Sequence, residues 1–264
     1  MIYFDRFSIV MEYCNHGDVF AKINHHKQIG TYLKERLIWK ILIQTVKGLA
    51  AMHRLGIMHR DLKSANIFLK DGSFQGKPNE DDKPQMVTIE PHPKGIKPQL
   101  TQRIKTPDEI IAKLGDMNVS KVSNHLGLNY TQTGTPYYAS PEVWKDEPYD
   151  NKSDVWSLGC VIYEMAALKP PFQANDMQSL YKKMIKGIYP PIPEHFSPEL
   201  QSLISNMLQV NPRKRMSTEQ LVDHTVFKKR DSKYYGTGMN LGARDPSLES
   251  NENFSIKMEV TGAG

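Results

Sequence analysis

The sequence predicts an α+β chain that is mostly helical, and three observations predict it. Apolar residues recur at three- to five-residue steps over several segments, which is the spacing of a helix face. Strand-like runs are few and short. Prolines and glycines gather in two stretches, 72–108 and 231–264, that carry no apolar rhythm. With 264 residues, 39% apolar and 24% charged, the chain is large enough for one big domain or two small ones. Fibrous, collagen-like and wholly disordered readings are excluded.

Taken in order, the first strand signal is Phe7 to Tyr13. Leu33, Leu37, Ile41, Val46, Leu49 and Met52, widened by Ile38, Leu42 and Ala50, predict a long helix over 32–53. Ile67 to Leu69 reads as a short strand and Ala112 to Gly115 as another. Between them, 72–108 holds six of the seventeen prolines and is expected to be a disordered surface insertion. Its ends can sit close together, because closure entropy grows slowly with loop length. Val155, Leu158, Val161, Ile162 and Met165, with apolar neighbours on their other faces, predict the most buried helix. Further helices are expected at 177–186 and at 198–209, the latter behind a Ser197 cap with Pro198 in its first turn. Another, at 217–224, opens with Ser217 and Gln220 at capping-box spacing. Residues 231–264 read as a flexible tail.

Two cysteines, Cys14 and Cys160, cannot make a disulfide framework, and MIYFDRFSIV has no basic region before an apolar core, so a reducing, intracellular setting is expected. The longest apolar stretch, Val155 to Leu168, is broken by Ser157 and Glu164 and is too short for a bilayer, so no membrane partner is expected. A net charge of +5 is a mild excess. The basic runs at 213–215 and 228–230 lack interleaved aromatics, so they read as solvated faces and no nucleic-acid partner is expected. His25 and His26 have no ligand-spaced partners.

The sharpest signal is His59-Arg60-Asp61-Leu62-Lys63-Ser64-Ala65-Asn66, which fits H-R-D-L-x-x-x-N at every fixed position. Five fixed residues match by chance in roughly one chain in ten thousand of this length. On this motif the chain resembles eukaryotic protein kinases. In-line phosphoryl transfer needs a carboxylate to accept the proton of the attacking hydroxyl and a nearby neutral oxygen to hold Mg²⁺. The resemblance gives the first role to Asp61 and the second to Asn66, with Lys63 as the cation beside the transferring phosphate. Asp116, in Gly115-Asp116-Met117-Asn118, stands where the family has Asp-Phe-Gly and is the implied second magnesium ligand. Met117 and Asn118 depart from the family triplet.

Gly134-Thr135-Pro136-Tyr137-Tyr138-Ala139-Ser140-Pro141-Glu142 resembles the loop that receives the substrate, and Thr135 suits a serine/threonine kinase, where its hydroxyl bridges Asp61 and Lys63. The resemblance pairs Glu142 with Arg215 as a buried anchor and sets Asp154 to hydrogen-bond the catalytic-loop backbone. Together with Ile9-Val10-Met11-Glu12-Tyr13-Cys14 and His16-Gly17-Asp18, these motifs look most like the NIMA-related serine/threonine kinases over 7–70 and 112–228. That likeness makes Met11 the gatekeeper, gives adenine to the backbone of Glu12 and Cys14 and the ribose to Asp18, and puts Phe68 and Lys63 among the nucleotide-binding residues. It implies ATP, Mg²⁺ and a protein substrate, a regulatory phosphate on Thr131 that pairs with Arg60, and a cytoplasmic protein with possible cytoskeletal or ciliary association. The expected fold is therefore a kinase large lobe with the last strand of the small lobe, a partial domain over 1–230 with a tail. The insertion at 72–108 is a possible partner-binding segment. Residues 1–10 contain no glycine, lysine or glutamate for the family's phosphate loop and its ion pair, so an N-terminally incomplete kinase with weak activity alone is expected. The alternative is a pseudokinase-like scaffold.

Overall fold

A computed structural model describes residues 12–72, 109–116 and 137–235. Met11, Thr131, Thr135, almost all of the predicted insertion and residues 7–11 of the strand expected over Phe7 to Tyr13 lie outside these residues, while Glu12 and Tyr13 are not in a strand. In chain order the elements are α1 (Val19–Gln28), α2 (Glu35–Arg54), a 3₁₀ turn (Ser64–Asn66), β1 (Ile67–Asp71), β2 (Ile110–Leu114), α3 (Pro141–Trp144), α4 (Lys152–Ala167), α5 (Met177–Lys186), α6 (Pro198–Met207), α7 (Thr218–Asp223) and α8 (Thr225–Tyr235).

Local chemistry sets most of the ends. Asp18 caps α1, its carboxylate accepting from the Ala21 N–H at 2.7 Å. Ser197 caps α6 with Pro198 in the first turn, and Ser217 and Gln220 form the expected capping box at α7. The helix predicted over 32–53 begins at Glu35 and runs one residue further, to Arg54. The helix predicted over 177–186 has those bounds.

The core is built on α4. Val155, Trp156, Leu158, Cys160, Val161, Ile162 and Met165 are all fully buried, so this helix is buried on every face. It packs against α2 and α6, while α2 also carries α7, α8 and β2. Gly159 permits the α4–α6 approach: a Cβ there would lie 2.9 Å from Met207 Cβ and from Leu208 Cδ2.

Strands β1 and β2 form an antiparallel pair with Ile67 opposite Leu114 and Asp71 opposite Ile110. The Gly72 N–H donates to the Glu109 carbonyl at 2.9 Å, so the two ends of the intervening segment meet. The sequence boundary at 230 falls inside a helix. α8 continues to Tyr235 because it is pinned to α2: Lys47 pairs with Asp231 at 2.7 Å, and Gln44 Nε2 donates to Tyr235 Oη at 2.7 Å. Residues 236–264 lie outside the described residues.

Candidate active site

The loop between α2 and β1 carries Asp61, and its backbone is held from below. The Asp154 carboxylate, in the first turn of α4, accepts the backbone N–H of His59 and of Arg60, each at 2.9 Å. It also contacts His53 Nε2 at 2.9 Å, and His53 Nδ1 lies 3.1 Å from Thr218 Oγ1. A buried carboxylate with charge-assisted hydrogen bonds to successive amides fixes the loop tightly. Arg60 is thereby held at a φ of 67°.

Within the loop, Asp61 Oδ2 receives Lys63 Nζ at 3.0 Å and Asn66 Nδ2 at 3.3 Å. Asn66 Nδ2 also donates to the Asp61 carbonyl at 2.8 Å. That double donation orients the amide and leaves Asn66 Oδ1 as a free acceptor among the described residues. Asp61 keeps 27% of its side chain exposed, so it is open to a substrate while sharing a cation.

Asp116 reaches the same neighbourhood through the sheet. The Gly115 N–H donates to the Asn66 carbonyl at 3.0 Å, which places Asp116 just beyond Asn66's partner. Asp116 is exposed and left-handed, with a φ of 56°. That conformation costs a non-glycine residue about 1–2 kcal/mol, and such strain gathers at functional sites. Phe68 lies against Gly115 so closely that a Cβ at 115 would sit 2.5 Å from its ring, so a larger residue there would have to displace that ring.

The hinge residues strap onto β1. The His16 N–H donates to the Leu69 carbonyl at 2.9 Å, and the Leu69 N–H to the Gly17 carbonyl at 2.7 Å. Asp18 bridges to Phe68, and its Oδ1 serves as the cap of α1. The expected ribose role therefore has to share this carboxylate with a helix end. Glu12 pairs with Lys70 at 2.9 Å and Lys113 at 3.2 Å, which holds its carboxyl below the usual range. Burial pushes the Cys14 thiol up, so it is not a ready thiolate.

Glu142 and Arg215 form the expected anchor, at 2.6 and 3.0 Å. A buried network was missed by sequence reasoning: the Tyr138 hydroxyl donates to Glu164 Oε2 at 2.6 Å and lies 3.0 Å from Ser64 Oγ. It ties the segment after Thr135 to the turn that carries Asn66. The one legible signal was Glu164 itself, a charge inside the most buried helix. His59 is buried with both ring nitrogens unpartnered among the described residues.

The donor set suits magnesium. Mg²⁺ prefers hard oxygens and is held by one or two carboxylates with substrate phosphates completing its shell. Asn66 Oδ1 and the Asp116 carboxylate are such donors. Among the described residues no group of three or more His, Cys, Asp or Glu is placed to hold a metal.

A family model described as "Protein kinase domain" matches residues 2–227. The chain is 37% identical over 228 residues to "Serine/threonine-protein kinase Nek1" of Mus musculus, covering 86% of this chain and 16% of that protein. It is 36% identical over 230 residues to "Serine/threonine-protein kinase Nek5" of Homo sapiens, covering 87% of this chain and 27% of that one. It is 34% identical over 258 residues to "Probable serine/threonine-protein kinase nek3" of Dictyostelium discoideum, covering 97% and 19%. The chain thus spans well under a third of the length of these relatives. A loop held by Asp154, a buried Glu142–Arg215 pair and a family match across 2–227 agree with one another, and the chain belongs to the protein kinase domain family.

Proposed function

We propose that the chain carries the hinge and large lobe of an ATP-dependent serine/threonine protein kinase, moving the γ-phosphoryl group of ATP onto a hydroxyl of a protein substrate. The observation that supports it most is the cluster in which Asp61 Oδ2 meets Lys63 at 3.0 Å and Asn66 at 3.3 Å. Asp61 accepts the proton as the substrate oxygen bonds to phosphorus and the bond to the leaving ADP oxygen breaks. Lys63, paired with that carboxylate, offers positive charge to the transferring group. Asn66 Oδ1 and Asp116 would hold Mg²⁺, which when bound neutralises charge on the phosphates. The backbone of Glu12 and Cys14 would meet adenine, Asp18 the ribose, and Phe68 the nucleotide, while Met11 and Thr135 are assigned by resemblance alone. Asp154 positions the loop without touching substrate.

The altered triplet Asp116-Met117-Asn118 favours a second reading, a scaffold that has lost transfer. One experiment separates the two. With a Nek small lobe fused ahead of residue 1, transfer of radiolabelled phosphate to a serine peptide is expected, and Asp61→Asn should lower kcat by about 10²–10⁴ with little change in thermal unfolding. Equal rates for the fused protein and its Asp61→Asn variant would refute the kinase reading.

A further inference from the structure

Away from the residues discussed so far, α4 and α5 enclose a cleft of about 310 Å³. Leu168 ends α4 in a left-handed conformation, with a φ of 57°, and turns the chain so that Lys169 and Pro170 form one wall. The last turn of α5 supplies Lys183 and Lys186, and Ile188 and Pro190 close the other side. No carboxylate lines the cleft among the described residues.

Cations at the end of α5 have an ordinary explanation, since they complement the negative end of the helix dipole. That covers Lys183 and Lys186 but not Lys169, which arrives from a different element. Lys183 Nζ donates to the Gln173 carbonyl at 2.6 Å, which draws this ammonium toward the chain beyond α4. Lys169 and Lys186 have no hydrogen bond or ion pair among the described residues, and both are exposed. Three like charges around one concavity give it a positive field that attracts an anion. The walls select its shape as well as its charge. Proline side chains make a rigid surface without backbone donors, and Ile188, 71% exposed, offers an apolar contact to a ligand.

We propose that this cleft is a docking site for an acidic, extended peptide segment of a partner protein, with carboxylates on Lys169, Lys183 and Lys186 and an aliphatic side chain against Ile188. Charge complementarity and the apolar wall together favour a peptide over a bare anion. The inference does not rest on phosphoryl transfer, because binding is read without ATP.

Fluorescence anisotropy of the full chain with a fluorescein-labelled peptide of glutamates around a central leucine tests it. Saturable binding that weakens with added salt is expected. The double variant Lys169→Glu/Lys186→Glu should bind at least about tenfold more weakly with unchanged thermal unfolding, because like-charge contacts reject the ligand. Should charge reversal disturb folding, Lys169→Gln/Lys186→Gln should still weaken binding. Replacing the leucine by serine should also reduce affinity. Absence of saturable binding, equal binding by the double variant, or full competition by inorganic phosphate would overturn the proposal. Equal binding of oligothymidylate, lost in the same variants, would assign the cleft to nucleic acid and overturn it too.

Discussion

Every N–H of the Arg215 guanidinium has an acceptor: Nε donates to the Gln209 carbonyl, Nη1 to Glu142 and the Lys152 carbonyl, and Nη2 to Glu142 and the Val210 carbonyl. The side chain is fully buried and lies over the Trp156 ring at 5.1 Å. Burial alone would raise the Glu142 carboxyl, but the Arg215 hydrogen bonds and charge outweigh it and hold it below the usual range. Its stabilisation is therefore present above the ordinary carboxylate pKa and lost as pH falls through the lower folded value. Removing one partner strands the other charge, so Glu142→Ala should cost about 3–5 kcal/mol in urea unfolding. Glu164 has the opposite sign. Burial pushes its carboxyl up, and the Tyr138 and Ser64 hydrogen bonds only partly offset this. A carboxyl raised in the fold contributes fully below its unfolded value of 4.5 and loses that contribution as pH rises through the folded value. Glu164→Gln removes the loss while keeping an acceptor for Tyr138. Its unfolding midpoint relative to wild type should rise as pH increases above the unfolded value of 4.5, and a flat difference there would contradict the assignment.

At the scale of elements, the α4–α6 contact sets two effects against each other. Alanine gains up to about 1 kcal/mol over glycine in a helix interior. At Gly159 its Cβ would meet Met207 Cβ at 2.9 Å, and overpacking a core typically costs about 1–3 kcal/mol. Met207 Cβ is attached directly to backbone and cannot yield as a side-chain tip can, so Gly159→Ala should destabilise, read as a lower urea midpoint at unchanged slope. Elements differed in legibility for similar reasons. Helix α5 was readable because Leu180 and Met184 share a face, a local signal, and the structure adds an Asp176 cap at its start. Helix α8 was not, because its order comes from afar. Gln44 lies 191 positions from Tyr235 and at once bonds the Ile110 carbonyl and the Ala112 N–H, joining α8, α2 and the edge of β2. Only a fold brings those groups together. The sheet fell between: the β1 and β2 signals were present, but β1 runs on to Asp71 and β2 spans Ile110–Leu114 rather than Ala112–Gly115, because the ladder pairs Asp71 with Ile110 and Ile67 with Leu114.

Across the whole molecule, the structure divides labour between a rigid interior and an exposed rim. The interior, α4 with α2 and α6 around it, holds Asp154, and Asp154 holds the loop that presents Asp61. The rim carries Asp61, Lys63 and Asp116, the residues open to a ligand. The candidate motif was legible because it is contiguous in sequence: Asp61, Lys63 and Asn66 lie within six consecutive residues, and their side chains meet. The Tyr138–Glu164–Ser64 network was not, since its three side chains come from separate segments and meet only after α4 packs. The most direct measurement of the proposed site is calorimetric titration of ATP into the chain at several Mg²⁺ concentrations, repeated with Asp116→Asn. If Asn66 and Asp116 share the metal, ATP affinity should increase with Mg²⁺ in the wild-type chain, and that increase should vanish in Asp116→Asn at unchanged thermal unfolding. An increase of the same size in both proteins would place the metal elsewhere and contradict the assignment.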